Sequence, residues 1–393
     1  MPIPKWIELQ KNKSLSGDSG TETYSIKRTD QILELVLKVR AKNGATRNSP
    51  DAAAIPTIES SITNIEIKSG SASFKSYTGE VCRKIAAYRN GRLPQTLYTQ
   101  EAGGTWAGNE DPSLGWQEYT FPINFNLPQD PYGNKTGVML PAPLYDSLDL
   151  VLDYNFTISA TAGYVTGGSN HLFDLYALVL PKEDRAAMVN KRILVETKKQ
   201  DYTSVASGDQ PFDLTLDSSR FLRQLMVTAY ENGVGEGVDI TDLKYKVDGD
   251  TYWAGKWGDL QALNAQDSHL NYKFPAYLNA ATTTDELWTR IPAARPIITP
   301  ITSPTTAPFS AALSSGDKVT VTTDAQADNN ILDVYSDVLP AAVVIDLDRD
   351  GSLMNMQYAG VKDMDLILTN GGAGAAVQII EQHIAKPWGY SGD

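Results

Sequence analysis

The chain has 393 residues, 41% of them apolar and 21% charged, an ordinary globular composition that excludes disorder over most of its length. Its net charge of −13, with no Lys/Arg cluster, argues against direct nucleic-acid binding. Cys82 is the only cysteine, so a disulfide framework and a zinc site of several cysteines are excluded, and a small buried filler is its expected role.

Residues 1–21 open with Pro2 and Pro4 and continue through a polar stretch. They read as an N-terminal arm with Trp6, Ile7 and Leu9 as anchors. The arm lacks the apolar core of a secretory leader, and no apolar run reaches the roughly 18 residues of a membrane span. A soluble chain is expected, with the sequons at Asn134 and Asn155 idle. Apolar alternation starts near Tyr24 and passes through Leu33, Leu35, Leu37 and Val39, the pattern of a strand with one wet face. Residues 43–56 are a loop by their Gly, Asn, Ser and Pro content.

A strand over 63–69 is followed by a short helix over 77–88, where Val81, Ile85 and Tyr88 have helical spacing. Residues 93–131 read as a long loop rich in Gly, Asn and Pro that carries Trp106, Trp116, Tyr119 and Phe121. Strands follow over 148–158 and 172–180. Pro181 and the acids after it mark a short helix connecting to the next unit. Further strands are expected over 192–196, 212–216, 221–227 and 240–247. Residues 267–315 hold six prolines and read as a second irregular excursion, with Tyr272, Phe274, Tyr277 and Trp288. Strands resume over 318–323, 342–346, 353–358, 364–368 and 377–384.

An internal repeat runs through this order. Residues 62–70 (ITNIEIKSG) match residues 240–249 (ITDLKYKVDG) in pattern, and Leu148-Asp-Leu-Val-Leu152 returns as Met364-Asp-Leu-Ile-Leu368. A Leu-Pro-Ala stands upstream of each, at Leu140 and Leu339. A weaker echo sets 32–39 against 221–227, with a register uncertain by one residue. Echoes in one order point to a duplicated unit of about half the chain. Many short strands with turn signals then give an all-β protein of two tandem jelly-roll β-barrels, a double jelly roll with long inter-strand loops and few short helices. The expected division is an arm at 1–21, a first jelly roll at 22–181, a connector at 182–191 and a second jelly roll at 192–393.

Motifs that could carry chemistry are few. Asp346, Asp348 and Asp350 have the spacing of a calcium loop, but Gln357 stands where a bidentate Glu would complete it. A hairpin turn that needs no ion is expected. His171, His269 and His383 are not at metal-ligand spacing, and no nucleophile elbow is present. Glu110 and Asp111 are adjacent acids on a loop, better read as solvated than as a glycosidase pair. Gly371-Gly-Ala-Gly374 does not lead from a strand into a helix and reads as a turn. No catalytic residue, metal or cofactor is expected.

The duplicated strand order, the Leu140–Leu150 segment (LPAPLYDSLDL), the stretch ending in Trp257-Gly-Asp259 and the hairpin AVVIDLDRDG from Ala342 resemble double jelly-roll major capsid proteins. These build tailless icosahedral DNA viruses of the adenovirus-hexon and membrane-containing phage lineage. The resemblance implies a homotrimer of pseudo-hexagonal outline in a virion capsid, made in the host cytoplasm. It further implies contacts with neighbouring capsomers and with minor and vertex proteins, and no catalytic residues. An internal membrane contact through the arm is a property of many such proteins; here the arm is short and holds Pro2 and Pro4. Two other readings stand beside this one: a secreted-type carbohydrate-active β-sandwich protein, and a viral spike or receptor-binding protein. If copies of the chain meet through the two long excursions, the expected interface residues are Trp106, Trp116, Tyr119, Phe121, Tyr272, Phe274, Tyr277 and Trp288.

Overall fold

Alternation in the sequence becomes alternation in burial. In Gln31–Lys42 the side chains of Leu35, Leu37, Val39 and Ala41 are buried, while Glu34, Val36, Lys38 and Arg40 are only partly covered. The computed structural model describes residues 3–42, 57–99, 116–133, 135–157, 164, 167–215, 220–231, 234–235, 237–280, 284–288, 295–300, 310–315, 318–322, 328–348 and 361–388.

In chain order the first half holds β1 (Lys5–Ser14), β2 (Ser19–Ser25), β3 (Gln31–Lys42), α1 (Ile58–Ser61), β4 (Ile62–Ser69), β5 (Ala72–Tyr77), α2 (Gly79–Asn90), β6 (Thr96–Thr99), β7 (Trp116–Asn124), β8 (Asp149–Asn155) and β9 (His171–Leu180). After α3 (Arg185–Val189), the second half opens with β10 (Ile193–Thr203), β11 (Gly208–Asp213), β12 (Arg220–Tyr230), β13 (Ile240–Val247), β14 (Asp250–Lys256) and α4 (Trp257–Ser268). Then come β15 (Tyr272–Ala280), β16 (Thr284–Trp288), β17 (Arg295–Pro300), β18 (Ser310–Ser315), β19 (Lys318–Thr322), β20 (Asp328–Ser336), β21 (Ala342–Asp346), β22 (Met364–Asn370) and β23 (Ala376–Ala385).

Each half packs two four-stranded runs against each other. The first pairs the order β1-β9-β3-β7 with β2-β8-β4-β5, and the second pairs β10-β23-β12-β21 with β11-β22-β13-β14. The halves repeat residue by residue. Ile65 pairs with Leu152 and Ile67 with Leu150 in the first, as Leu243 pairs with Leu368 and Tyr245 with Leu366 in the second. The hairpins β4-β5 and β13-β14 carry a bulge at the same place, after Ile67 and after Tyr245. Twelve-residue helices α2 and α4 follow them at matching positions. These are the two tandem jelly rolls that the sequence predicts.

The expected weak echo resolves by one residue. A bulge sits between Ile32 and Glu34 in β3 and between Leu222 and Gln224 in β12, so Ile32 is equivalent to Leu222, not to Phe221. The Leu-Pro-Ala echo has no structural counterpart: Leu140 follows β7 and bridges Ile32, whereas Leu339 precedes β21.

The interior divides into two main clusters, one around Leu35, Leu37, Ile65, Ile67, Phe121 and Leu150, the other around Leu222, Leu225, Leu243, Tyr245, Leu366 and Ile379. Each fully buried aliphatic side chain contributes about 1.5–3 kcal/mol relative to exposure, so these rows dominate the stability of the sheets.

The segment read as an arm is strand β1, held antiparallel to β9 from Lys5 to Ser14. The excursion over 93–131 contains β6 and β7. That over 267–315 contains β15 to β18, with β15 paired to β20 along nine residues and Pro275 within it. Proline content suppressed the strand reading, yet Pro275 and Pro296 sit inside paired strands. Helix α4 was not expected at all. Residues 43–56 and the predicted strand over 353–358 lie outside the described residues.

Candidate functional site

The two halves meet at a seam where sequence alternation gives no warning of what is buried. Strand β5 runs parallel to β10, with Lys75 opposite Glu196 and Ser76 opposite Thr197. The Lys75 Nζ lies 2.8 Å from Glu196 Oε2, and both side chains are fully enclosed. Isolated buried charges would cost several kcal/mol, so both are tied further. Gln382 on β23 donates from Nε2 to Glu196 Oε1 at 2.5 Å, Arg223 on β12 donates to Gln382 Oε1, and Lys75 lies over the Phe125 ring at 5.1 Å. Burial pushes the Lys75 amine below its usual range, with Glu196 opposing that shift.

A cavity of about 430 Å³ opens beside the seam, bordered by Arg89, Glu196, Arg223, His269, Asp346 and Gln382. Arg89 donates to the Asn126 carbonyl and to its Oδ1, each at 2.6 Å, and burial lowers its guanidinium to about 10. The Lys75–Glu196 pair bonds across the halves, while Arg89 is tied within the first and Arg223, Gln382 and Glu196 are tied to one another within the second.

The calcium-like motif lies at the same end. The Arg223 Nε stands 3.4 Å from Asp348 Oδ2, and its Nη2 stands 4.0 Å from Asp346 Oδ2. The Asp348 N–H closes a turn on Asp346 Oδ1 at 2.9 Å. A guanidinium therefore supplies the positive charge that a cation would bring. Asp350 lies outside the described residues, and among those described no group of three or more His, Cys, Asp or Glu is placed to hold a metal.

Two histidines have structural surroundings. His171 Nε2 is 3.1 Å from Asp18 Oδ1, with its ring stacked on Phe156 at 4.4 Å. His383 Nε2 is 3.1 Å from Glu381 Oε2, while Glu381 Oε1 accepts the Thr215 N–H at 2.8 Å. Cys82 is buried, and burial pushes its thiol up to about 12, which makes it an inert filler. Gly371–Gly374 lie in the turn that carries the chain from β22 in one sheet to β23 in the other. Glu110 and Asp111 lie outside the described residues.

The eight predicted interface residues separate. Tyr119, Phe121, Tyr272 and Phe274 are buried in the chain's own core, where Arg83 lies over the Tyr119 ring at 4.8 Å and Phe274 meets Tyr98 at 5.5 Å. They have no surface left for a partner, because β7 and β15 alternate and these positions face inward. Trp116 is half-buried at the start of β7. Trp106 lies outside the described residues, as do the side chains of Tyr277 on β15 and Trp288 on β16. Lys75, Glu196, Arg223 and Gln382 escaped sequence reasoning because charged and amide side chains in a strand read as its wet face.

Two tandem jelly rolls with a buried seam between them and long insertions define the chain as a double jelly-roll protein. No protein-family model matches the chain, and no curated protein sequence does. Among solved structures it is similar to the STIV major capsid protein, with a TM-score of 0.60 and 11% identity over 98% of both chains. It is also similar to a chain of the Sulfolobus Turreted Icosahedral Virus structure, with a TM-score of 0.57 and 11% identity over 98% of this chain and 91% of that one. The major capsid protein P2 of bacteriophage PM2 matches at 0.54, with 8% identity over 98% of both chains. The chain has the double jelly-roll fold of these viral major capsid proteins.

Proposed function

We propose that the chain is a structural subunit of an icosahedral virus shell that assembles as homotrimeric capsomers of pseudo-hexagonal outline. The observation that carries this reading is the double jelly roll itself, shared over 98% of the chain with capsid proteins. A buried, mutually bonded seam fits a rigid building block better than a site that must open for substrate. In this role the chain works in the virion after synthesis in the host cytoplasm. Its partners are other copies of itself, neighbouring capsomers, and minor and vertex proteins. Trp106, Trp116, Tyr277 and Trp288 remain the candidates for contact from the long excursions. Sedimentation and negative-stain images of the purified chain test the reading. Trimers of six-lobed outline are expected, and a clean monomer at micromolar concentration would defeat it.

A further inference from the structure

The join between β5 and β10 has two unused counterparts in the same molecule. By the repeat, β5 corresponds to β14, so Phe74, Lys75 and Ser76 are equivalent to Tyr252, Trp253 and Ala254. Ile32 and Leu222 are equivalent and pair with Val179 and His383, which in turn pair with Lys5 and Val195. Strand β1 is thus the counterpart of β10, with Ile3, Trp6 and Ile7 standing where Ile193, Glu196 and Thr197 stand. Yet β14 ends its sheet and β1 ends another, each paired on one side among the described residues.

Burial shows the same asymmetry. At the internal join Phe74 and Ile193 are fully buried, whereas their counterparts Tyr252 and Ile3 are 69% and 81% exposed. Glu196 is 2% exposed and Trp6 is 56% exposed. Among the described residues these side chains belong to a short list of large apolar ones left on the surface, and they lie on two sheet edges that the repeat assigns to each other. Exposed edges bearing apolar residues are templates for pairing with another chain.

We propose that β14 of one chain lies parallel beside β1 of a second copy in the register of the internal join. Trp253 then sits beside Trp6 of the second copy, and Ala254 beside its Ile7. This rests on the reading of the chain as a homotrimer and says where its copies meet. The join uses two different edges, so it is head-to-tail and stays finite only as a closed ring. Three chains carry six jelly rolls, and a closed trimer has three joins within chains and three between them. The chemistry suits each kind. The internal join holds a buried ion pair, which a tethered partner tolerates. The external one offers aromatics, which give large contact area at low entropy cost and stand at the positions that the ion pair holds in the internal join.

Cysteine cross-linking of the full chain tests the register. Neighbouring strands lie about 4.8 Å apart, within the Cα separation that a disulfide spans. The double variant Trp6→Cys/Trp253→Cys, oxidised as the native protein, is expected to give disulfide-linked dimers and trimers and nothing larger. Each single variant, and the displaced pair Lys11→Cys/Trp253→Cys, should give no ladder, and buried Cys82 stays silent. If the double variant sediments as a trimer but does not cross-link, or if the displaced pair links equally well, the join lies elsewhere and the shell reading stands. A ladder extending past the trimer overturns the closed ring. A monomeric wild-type chain overturns both the join and the shell reading.

Discussion

Gly91 and His269 end equivalent helices in the same left-handed conformation, at φ 67° and 50°, and they meet each other at the seam. A Cβ placed on Gly91 would stand 2.7 Å from the Ser268 carbonyl and 3.1 Å from that of His269. Gly91 in turn accepts the Asn271 N–H at 2.7 Å. One position is forced to be glycine by its neighbour, while the other, exposed, carries a side chain at the cost of strain.

The two positions should therefore respond oppositely. Gly91→Ala is expected to lose at least about 1–2 kcal/mol from backbone strain alone, plus the overlap with the Ser268 carbonyl. His269→Gly should gain roughly 0.5–1 kcal/mol, because relieved strain outweighs the added freedom of the unfolded chain. Denaturant midpoints at unchanged slope would show both shifts, and equal losses would contradict the assignment.

Equivalent cores should also be separate cores. Leu243 and Leu368 are cross-strand neighbours in the second half, as Ile65 and Leu152 are in the first. Leu243→Ala and Leu368→Ala should each cost about 2–5 kcal/mol, and together they should depart from additivity because they share a cavity. Leu243→Ala with Ile65→Ala should be additive to within about 0.5 kcal/mol, since the two belong to different clusters. Leu243→Asp should abolish folding, as a buried unpaired charge has no partner there.

The parts of this fold that were legible are those where one face is apolar and the other polar. β4, β13, β8 and β22 obey that rule, so their equivalence was visible at the level of single residues. Helix α4 was not visible because half of its buried face is amide, Gln261 and Asn264 beside Trp257 and Leu260. Asn264 donates to the Val344 carbonyl at 2.8 Å and accepts the Val344 N–H at 2.7 Å, standing in for a neighbouring strand, and Gln261 donates to the Leu339 carbonyl at 3.0 Å. Its counterpart in α2 is Arg83, which donates to the Thr120 carbonyl at 2.7 Å. Buried polar residues that replace backbone partners leave no hydrophobic period to find. The interface residues misled for a related reason. Aromatics among prolines look like a loop tip, but Tyr119 and Phe274 alternate inward in strands whose partners are far away in sequence.

His171 should make stability depend on pH. Burial lowers its pKa below the ordinary value near 6.5, and the Asp18 hydrogen bond only partly opposes this. The neutral ring is thus favoured in the folded state. Its contribution is present above about pH 6.5 and is lost as pH falls through the lower folded value. His171→Gln should flatten the decline of stability between about pH 7 and pH 5. An unchanged slope in urea unfolding across that range would exclude His171 as its source.

The acidic turn should be indifferent to calcium. With Arg223 facing Asp346 and Asp348, a chelator should leave Tm unchanged and added calcium should not raise it. Arg223→Met should destabilise by about 3–5 kcal/mol by stranding buried carboxylate. A large calcium-dependent rise in Tm for the unsubstituted chain would show that the ion, not the guanidinium, is the natural occupant.

The sheet that runs from β2 through β5 into β10 and on to β21 crosses the boundary between the repeats without a break. Bending one jelly roll against the other would mean tearing hydrogen bonds and prising apart a buried lysine and glutamate, so the boundary of the repeat is not a hinge. Mechanically the chain is a single stiff plate with two lobes. Any wall tiled from such plates takes up curvature at the contacts between chains, so wall curvature would be set by those contacts and not by flexing of the subunit.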